Sequence, residues 1–225
     1  MDYWQKNKEG HGSMMGQPHA YQTLPEGYQL EQRLDLIKDR KLLLSLSLAS
    51  LVLFAGCGLG LVWMMFVLRP EFAARGMSVS LAADSTGPIS LRFFVLLGVI
   101  FVMVVLHEAI HGLFFRLLTG GKAKFAFKGA YAYAAAPDWY LHKGPYLVVS
   151  LAPLVLITVL GVILLVFVPD SWLVPLMLLV AMNASGAVGD LYVFFLLVRK
   201  PEDVLVRDFG EQMEIYTRQH GKRDA

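Results

Sequence analysis

The chain has 225 residues, 56% of them hydrophobic and 17% charged, with a formal net charge of +2 and a mean hydropathy of +0.53. Soluble domains run at roughly 45–50% apolar and 25% charged, so an ordinary soluble globule is excluded and a membrane protein is expected. The small charge without a dense basic cluster excludes nucleic acid as a partner, and a single cysteine, Cys57, excludes a disulfide framework or a cysteine-based zinc site.

Residues 1–41 form an N-terminal segment ahead of the first apolar run, and its polar character argues against a cleaved signal peptide. Residues 1–27, rich in Gly, Gln, Lys and His, read as disordered or loosely attached. From Tyr28 to Arg40, Leu30, Leu34 and Ile37 fall on one helical face with charges elsewhere. Two readings suit that pattern: a short amphipathic helix on the cytoplasmic surface, or an extension of the first span.

A bilayer core of ~30 Å needs about 20 helical residues, and four stretches of residues 42–198 meet that length: 42–68, 91–118, 145–168 and 173–198. The expected fold is an all-α polytopic membrane protein with four transmembrane helices and a small interfacial β-hairpin. Arg33, Lys38, Arg40 and Lys41 precede span one, Arg116, Lys122, Lys124 and Lys128 follow span two, and Arg199 and Lys200 follow span four. Basic residues mark the cytoplasmic side, so both termini read as cytoplasmic. Gly56 and Gly60, four apart in "GCGLG", read as an internal helix-packing face.

Span two carries "LHEAIH". His107 and His111, one helical turn apart, project from one face and can grip one Zn²⁺. Glu108 sits about 60° round the helix from His111, beside such a metal and placed to take a proton from a water there. Ionisable groups inside a membrane are costly and mark function. A hydrogen-bonded histidine pair would account for the residues but not for their spacing.

A catalytic zinc usually keeps three protein ligands. His11, His19 and His220 lie in polar terminal segments and His142 in a cytoplasmic loop, while span three offers no candidate. Span four offers Asp190. Counted from the outer ends of their spans, His107 lies about 24 Å along its helix and Asp190 about 25 Å along its own. The small residues of "NASGAVGD" allow the close approach that a short Asp side chain needs. A salt bridge to Arg116 is the alternative for Asp190. Asn183, on the same face, reads either as an oxyanion donor or as a helix-packing amide.

The stretch "KAKFAFKGAYAYAAAP", 122–137, alternates in places with period two and has Lys128-Gly129 as a turn, which predicts a β-hairpin beside the site. An edge strand there could hold an unwound substrate by strand pairing, or the segment could be an interfacial anchor. The tail, 199–225, contains "VLVRDFGEQMEIY", a second, cytoplasmic hairpin.

With His107-Glu108-Ala109-Ile110-His111 on one span, and Asn183 and Asp190 two spans later, the chain resembles the site-2 protease class of intramembrane zinc metalloproteases. The stretches "HGLFFRLLTGGKAKFAFKGAYAYAAAP" and "NASGAVGDLYV" resemble more closely a bacterial family named putative zincin peptidases. The resemblance covers residues 90–217. It implies a three-helix metalloprotease core of spans two to four and residence in a bacterial cell membrane. The better-studied site-2 proteases carry Pro and Gly where Gly186 and Leu191 stand here. The expected function is hydrolysis of peptide bonds in a single-span membrane protein, or a membrane-bound remnant of one, near the cytoplasmic side of the bilayer. His107, His111 and Asp190 would bind Zn²⁺, and Glu108 would be the general base. The alternatives are a metal-binding transporter or sensor, or a non-catalytic scaffold, with the same ligands.

Overall fold

The computed structural model describes residues 19–36, 38–71, 89–129 and 131–219. Three helices are long and apolar enough to cross a bilayer: α1 (Arg40–Leu68), α2 (Ile89–Thr119) and α3 (Lys143–Phe167). The fourth expected span is broken. It consists of α4 (Asp170–Gly186) and α5 (Val188–Val198), bent by 42° at Ala187, and passes the same test only as a pair. Large apolar side chains stand exposed along these helices, among them Val52, Leu59, Trp63 and Phe167. An apolar surface of this extent suits contact with lipid rather than water.

The helix ends follow local chemistry. Asp39 caps α1 by accepting from the N–H groups of Lys41 and Leu42 at 3.0 and 3.1 Å. At the other end the Arg69 guanidinium donates to the Val168 carbonyl and pairs with Asp170 at 2.9 Å, tying α1 to the α3–α4 turn. Leu61 and Met65 of α1 pack on Leu165, Leu173 and Val180. The close helix contact is at Gly161 of α3, where an added Cβ would lie 2.2 Å from Val180 Cγ2. Gly56 and Gly60 do not form the internal packing face expected of them: both are exposed and no atom lies near either.

The largest departure from expectation is a five-stranded antiparallel sheet. Its strands are β1 (Ala20–Tyr21), β2 (Tyr28–Asp35), β5 (Tyr140–His142), β6 (Leu205–Asp208) and β7 (Gln212–Arg218), in the order β1-β5-β6-β7-β2. The expected C-terminal hairpin is β6–β7, and it forms the middle of this sheet. The segment from Tyr28 is therefore a strand and not an amphipathic helix (Ile37 lies outside the described residues). A spacing of four, Leu30 to Leu34, is a multiple of two as well as about one helical turn. The pairing with β7, far away in sequence, decides the matter. A register shift between Leu30 and Gln32 then leaves Leu30 exposed and Leu34 buried. Nor is all of 19–27 loose, since Ala20 and Tyr21 pair with Leu141 and Tyr140.

The sheet sits at one end of the helices. Val206, Met213 and Ile215 pack on Phe115 of α2, Tyr146 and Val149 of α3, and Val193 and Leu197 of α5. Leu205 and Tyr216 cover the opposite face with Tyr140. The expected hairpin of 122–137 is present as β3 (Lys124–Phe127) and β4 (Ala132–Ala135), reversing through Gly129 at φ +78°. Its Phe125 ring rests on Gly112 of α2, where a Cβ would meet Cζ at 2.2 Å.

Buried Glu214 pins β2 to β7. One carboxylate oxygen accepts from Arg33 at 3.0 and 2.5 Å, the other from the Tyr216 hydroxyl at 2.6 Å. Burial pushes the carboxyl up, but the Tyr216 hydroxyl and Arg33 outweigh it and hold it below the usual glutamate range. A depressed folded-state pKa stabilises the fold in full above the ordinary value near 4.5, and that contribution is lost as pH falls through the depressed value. Amide exchange of β2 is therefore expected to accelerate on acidification below about pH 4.5, and Glu214→Gln is expected to flatten that dependence. Equal pH profiles for the two proteins would remove Glu214 from this role.

Candidate metal centre

The motif helix turns its polar groups inward. His107 and His111 are each 8% exposed, while Ala109 between them is exposed on the apolar side. Their ring centroids are 4.9 Å apart and the Nε2 atoms 3.2 Å apart. Asp190 reaches them from the first turn of α5. Its carboxylate oxygens lie 3.1 Å from His107 Nε2 and 3.5 Å from His111 Nε2. Asp190 thus faces the histidines, and not Arg116. Among the described residues no other group of three His, Cys, Asp or Glu converges in this way.

The bend at Ala187 delivers that aspartate. Helical bonds continue through it, from Ala187 N–H to the Asn183 carbonyl and from Leu191 N–H to the Ala187 carbonyl, both 2.9 Å. Asn183 on the near side of the bend and Asp190 on the far side both reach His107. The glycines of "NASGAVGD" serve differently from expectation. Gly186 and Gly189 have open space where a Cβ would be, and they border the cavity over the site rather than a helix contact.

The outer ring nitrogens fix both tautomers. His111 Nδ1 is 3.1 Å from the Val149 carbonyl, which can only accept, so Nδ1 carries the proton. His107 Nδ1–H donates to Asn183 Oδ1 at 3.0 Å, and the Asn183 amide is turned towards the Pro153 carbonyl at 3.4 Å. Asn183 is fully buried and engaged with His107 and α3.

With Nδ1–H engaged on each ring, a neutral imidazole presents its Nε2 lone pair inward, and the two Nε2 atoms face each other and a carboxylate. Three potential ligand atoms converge, an arrangement that suits a cation. Tetrahedral zinc with bonds of about 2.0–2.2 Å sets neighbouring ligand atoms roughly 3.3–3.5 Å apart. The separations here are 3.2 Å between the Nε2 atoms, 3.1 Å from His107 to Asp190 Oδ2 and 3.5 Å from His111 to Asp190 Oδ1, within a few tenths of an ångström of that spacing. The donor set fits zinc.

Glu108 projects beside these ligands, and its Oε2 accepts the Ala134 N–H of β4 at 2.6 Å. Lys128 N–H bonds to the Tyr131 carbonyl at 2.9 Å, so alternation along the ladder makes 126–133 and 124–135 the bonded pairs. The backbone groups of Ala132 and Ala134 therefore face away from β3, and that open edge of β4 carries the contact to Glu108.

Around the three ligands lies a cavity of about 210 Å³, lined also by Glu108, Tyr146, Asp208 and Gly210. Its roof was not legible from local sequence, because the β6–β7 turn reaches the site only through the sheet. Asp208 is anchored there by the Tyr146 hydroxyl at 2.5 Å and the Gly210 N–H at 2.6 Å. Burial raises its carboxyl above the usual range, against the pull of those two donors. The Tyr133 ring lies flush on Gly210, where a Cβ would sit 2.1 Å from it, and the Tyr131 hydroxyl donates to Glu211 at 2.9 Å. An apolar groove of about 690 Å³ runs between α2 and the β3–β4 hairpin, lined by Phe101, Val105, Phe125 and Phe127. Glu108, Ala132 and Tyr133 line both spaces.

Neither the curated proteins nor the solved structures contain a match to this chain. A family model does match, over residues 100–205, and that stretch contains His107, Glu108, His111, Asn183 and Asp190. Over those residues the chain is similar to the family described as "Putative zincin peptidase".

Proposed function

We propose that this protein is an intramembrane zinc metalloprotease of the site-2 type. In this reading it has four spans, with α4 and α5 as one broken span and both termini cytoplasmic, and it cleaves single-span membrane proteins or their membrane-bound remnants near the cytoplasmic face. The observation that carries the reading is the convergence of two imidazole Nε2 atoms and a carboxylate, with a second carboxylate, Glu108, alongside. The family match supports peptidase chemistry.

His107, His111 and Asp190 would hold zinc, which would supply Lewis acidity towards a peptide carbonyl and a water near neutral pH. Glu108 takes the proton of the attacking water and passes it to the leaving amine. Ala134 N–H orients the Glu108 carboxylate for that task. The open edge of β4 pairs with an unwound substrate segment, since a helical substrate offers no free carbonyl to the site. The groove beside Phe101 and Phe125 receives its apolar side chains. A transporter or scaffold with the same ligands would have no use for a carboxylate held beside the metal rather than on it.

Two outcomes are expected of full-length protein in nanodiscs. Glu108→Gln retains zinc but cleaves a single-span reporter about 10²–10⁴-fold more slowly than wild type, the usual contribution of a general base. Hydrolysis persisting at the wild-type rate, or absent from wild type across several reporters, counts against the protease. Separately, zinc at a hundred times its Kd should stabilise wild type against unfolding by about 2.7 kcal/mol. Asp190→Ala should lose most of that gain, and an unchanged gain would remove Asp190 from the ligand set.

A further inference from the structure

Helix α3 offers the centre no ligand, yet both histidines are oriented by its backbone. The Val149 carbonyl accepts from His111 Nδ1–H directly, and the Pro153 carbonyl meets the Asn183 amide, whose oxygen accepts from His107. Inside an α-helix a carbonyl normally accepts the N–H four residues later. For Val149 that residue is Pro153, which has no N–H to give. The carbonyl is buried in the helix interior, and a missing partner there is costly unless another donor takes its place. His111 is that donor.

We infer that Pro153 is a positioning residue for the metal centre: by withholding an N–H it reserves the Val149 carbonyl for His111 Nδ1–H and so holds that imidazole with Nε2 turned to the centre. The inference rests on the proposed metal reading for its purpose. Its geometry stands independently, because the tautomer of His111 is a property of the chain alone. A proline within an apolar helix carries a cost that packing elsewhere must offset, and at this position the cost secures an acceptor that no side chain of α3 supplies. Pro175 of α4 makes the comparison. It too frees a carbonyl four residues earlier, that of Ser171, but no ligand of the centre bonds there.

The test compares Pro153→Ala with Pro175→Ala in the full-length chain, reconstituted in nanodiscs. Alanine at 153 restores an N–H that competes with His111 for the Val149 carbonyl. Loss of a partner to a metal-bound histidine typically weakens metal binding 10–100-fold. Competition with a chelator should therefore give a zinc Kd raised by about that factor for Pro153→Ala, and within twofold of wild type for Pro175→Ala. Metal-free protein is read by ¹⁵N NMR of the imidazoles. At a pH where the ring is neutral, wild type should show the Nδ1–H tautomer of His111, and Pro153→Ala should show a mixture of tautomers. Pro153→Gly, which also restores the N–H, should repeat both effects even if Pro153→Ala folds poorly. A zinc Kd within twofold of wild type in either folded variant, or an unchanged His111 tautomer, overturns the inference. Wild type that binds no zinc overturns the metal reading instead, while the tautomer comparison still decides the role of Pro153.

Discussion

Two imidazole Nε2 atoms 3.2 Å apart, both facing one carboxylate, are the constraint on which the rest of this molecule turns. Neutral rings in such an arrangement place three acceptors together, and in a helix apolar enough to cross a membrane a proton or a cation must join them. The surrounding structure holds the groups there. Val149 and Asn183 keep the protons on the far nitrogens, and the bend at Ala187 brings Asp190 to the near side. A site of this kind costs the fold stability, and a bound cation returns it. The expected coupling between metal and fold follows from that alone.

The sheet gives the site a boundary. Where the helices end, His107, His111 and Asp190 would open directly to water, but the β6–β7 turn and β4 close over them and leave about 210 Å³. A small polar chamber of that sort keeps the effective dielectric low, so a carboxylate beside a cation interacts more strongly than it would in bulk water. Two glycine seats hold the β3–β4 hairpin in place, Gly112 beneath Phe125 and Gly210 beneath Tyr133. Either residue with a larger side chain would lift the strand that carries Ala134 away from Glu108.

What could be read from sequence was whatever is set locally. Span lengths come from runs of apolar residues, the HExxH face from a fixed helical periodicity, and the β3–β4 turn from Lys128-Gly129. The meeting of His107 with Asp190 was also legible, because two helices that cross the same slab share a depth scale. The strand β2 was not legible, since Leu30 and Leu34 are spaced for either period and the partner that decides lies some 180 residues away. For the same reason the sequence did not place Asp208 over the site. The bend at Ala187 was hidden by its own composition: a run of small residues reads as close packing, while Gly186 and Gly189 in fact leave room.

Under the proposed function, the two cavities impose a route. A chamber of about 210 Å³ falls short of the roughly 300–1,000 Å³ typical of sites that enclose a whole small ligand. It holds a carbonyl and a water, and not a length of peptide. The neighbouring groove, at about 690 Å³ and apolar, does have room for side chains, and it opens along α2 where the exposed surface suits lipid. Glu108, Ala132 and Tyr133 form the boundary shared by both. A substrate strand laid on the free edge of β4 therefore keeps its side chains in the groove and presents one peptide group at a time across that boundary. The hydrogen bond from Ala134 to Glu108 joins the two tasks, because the strand that aligns the substrate is also the strand that aligns the base.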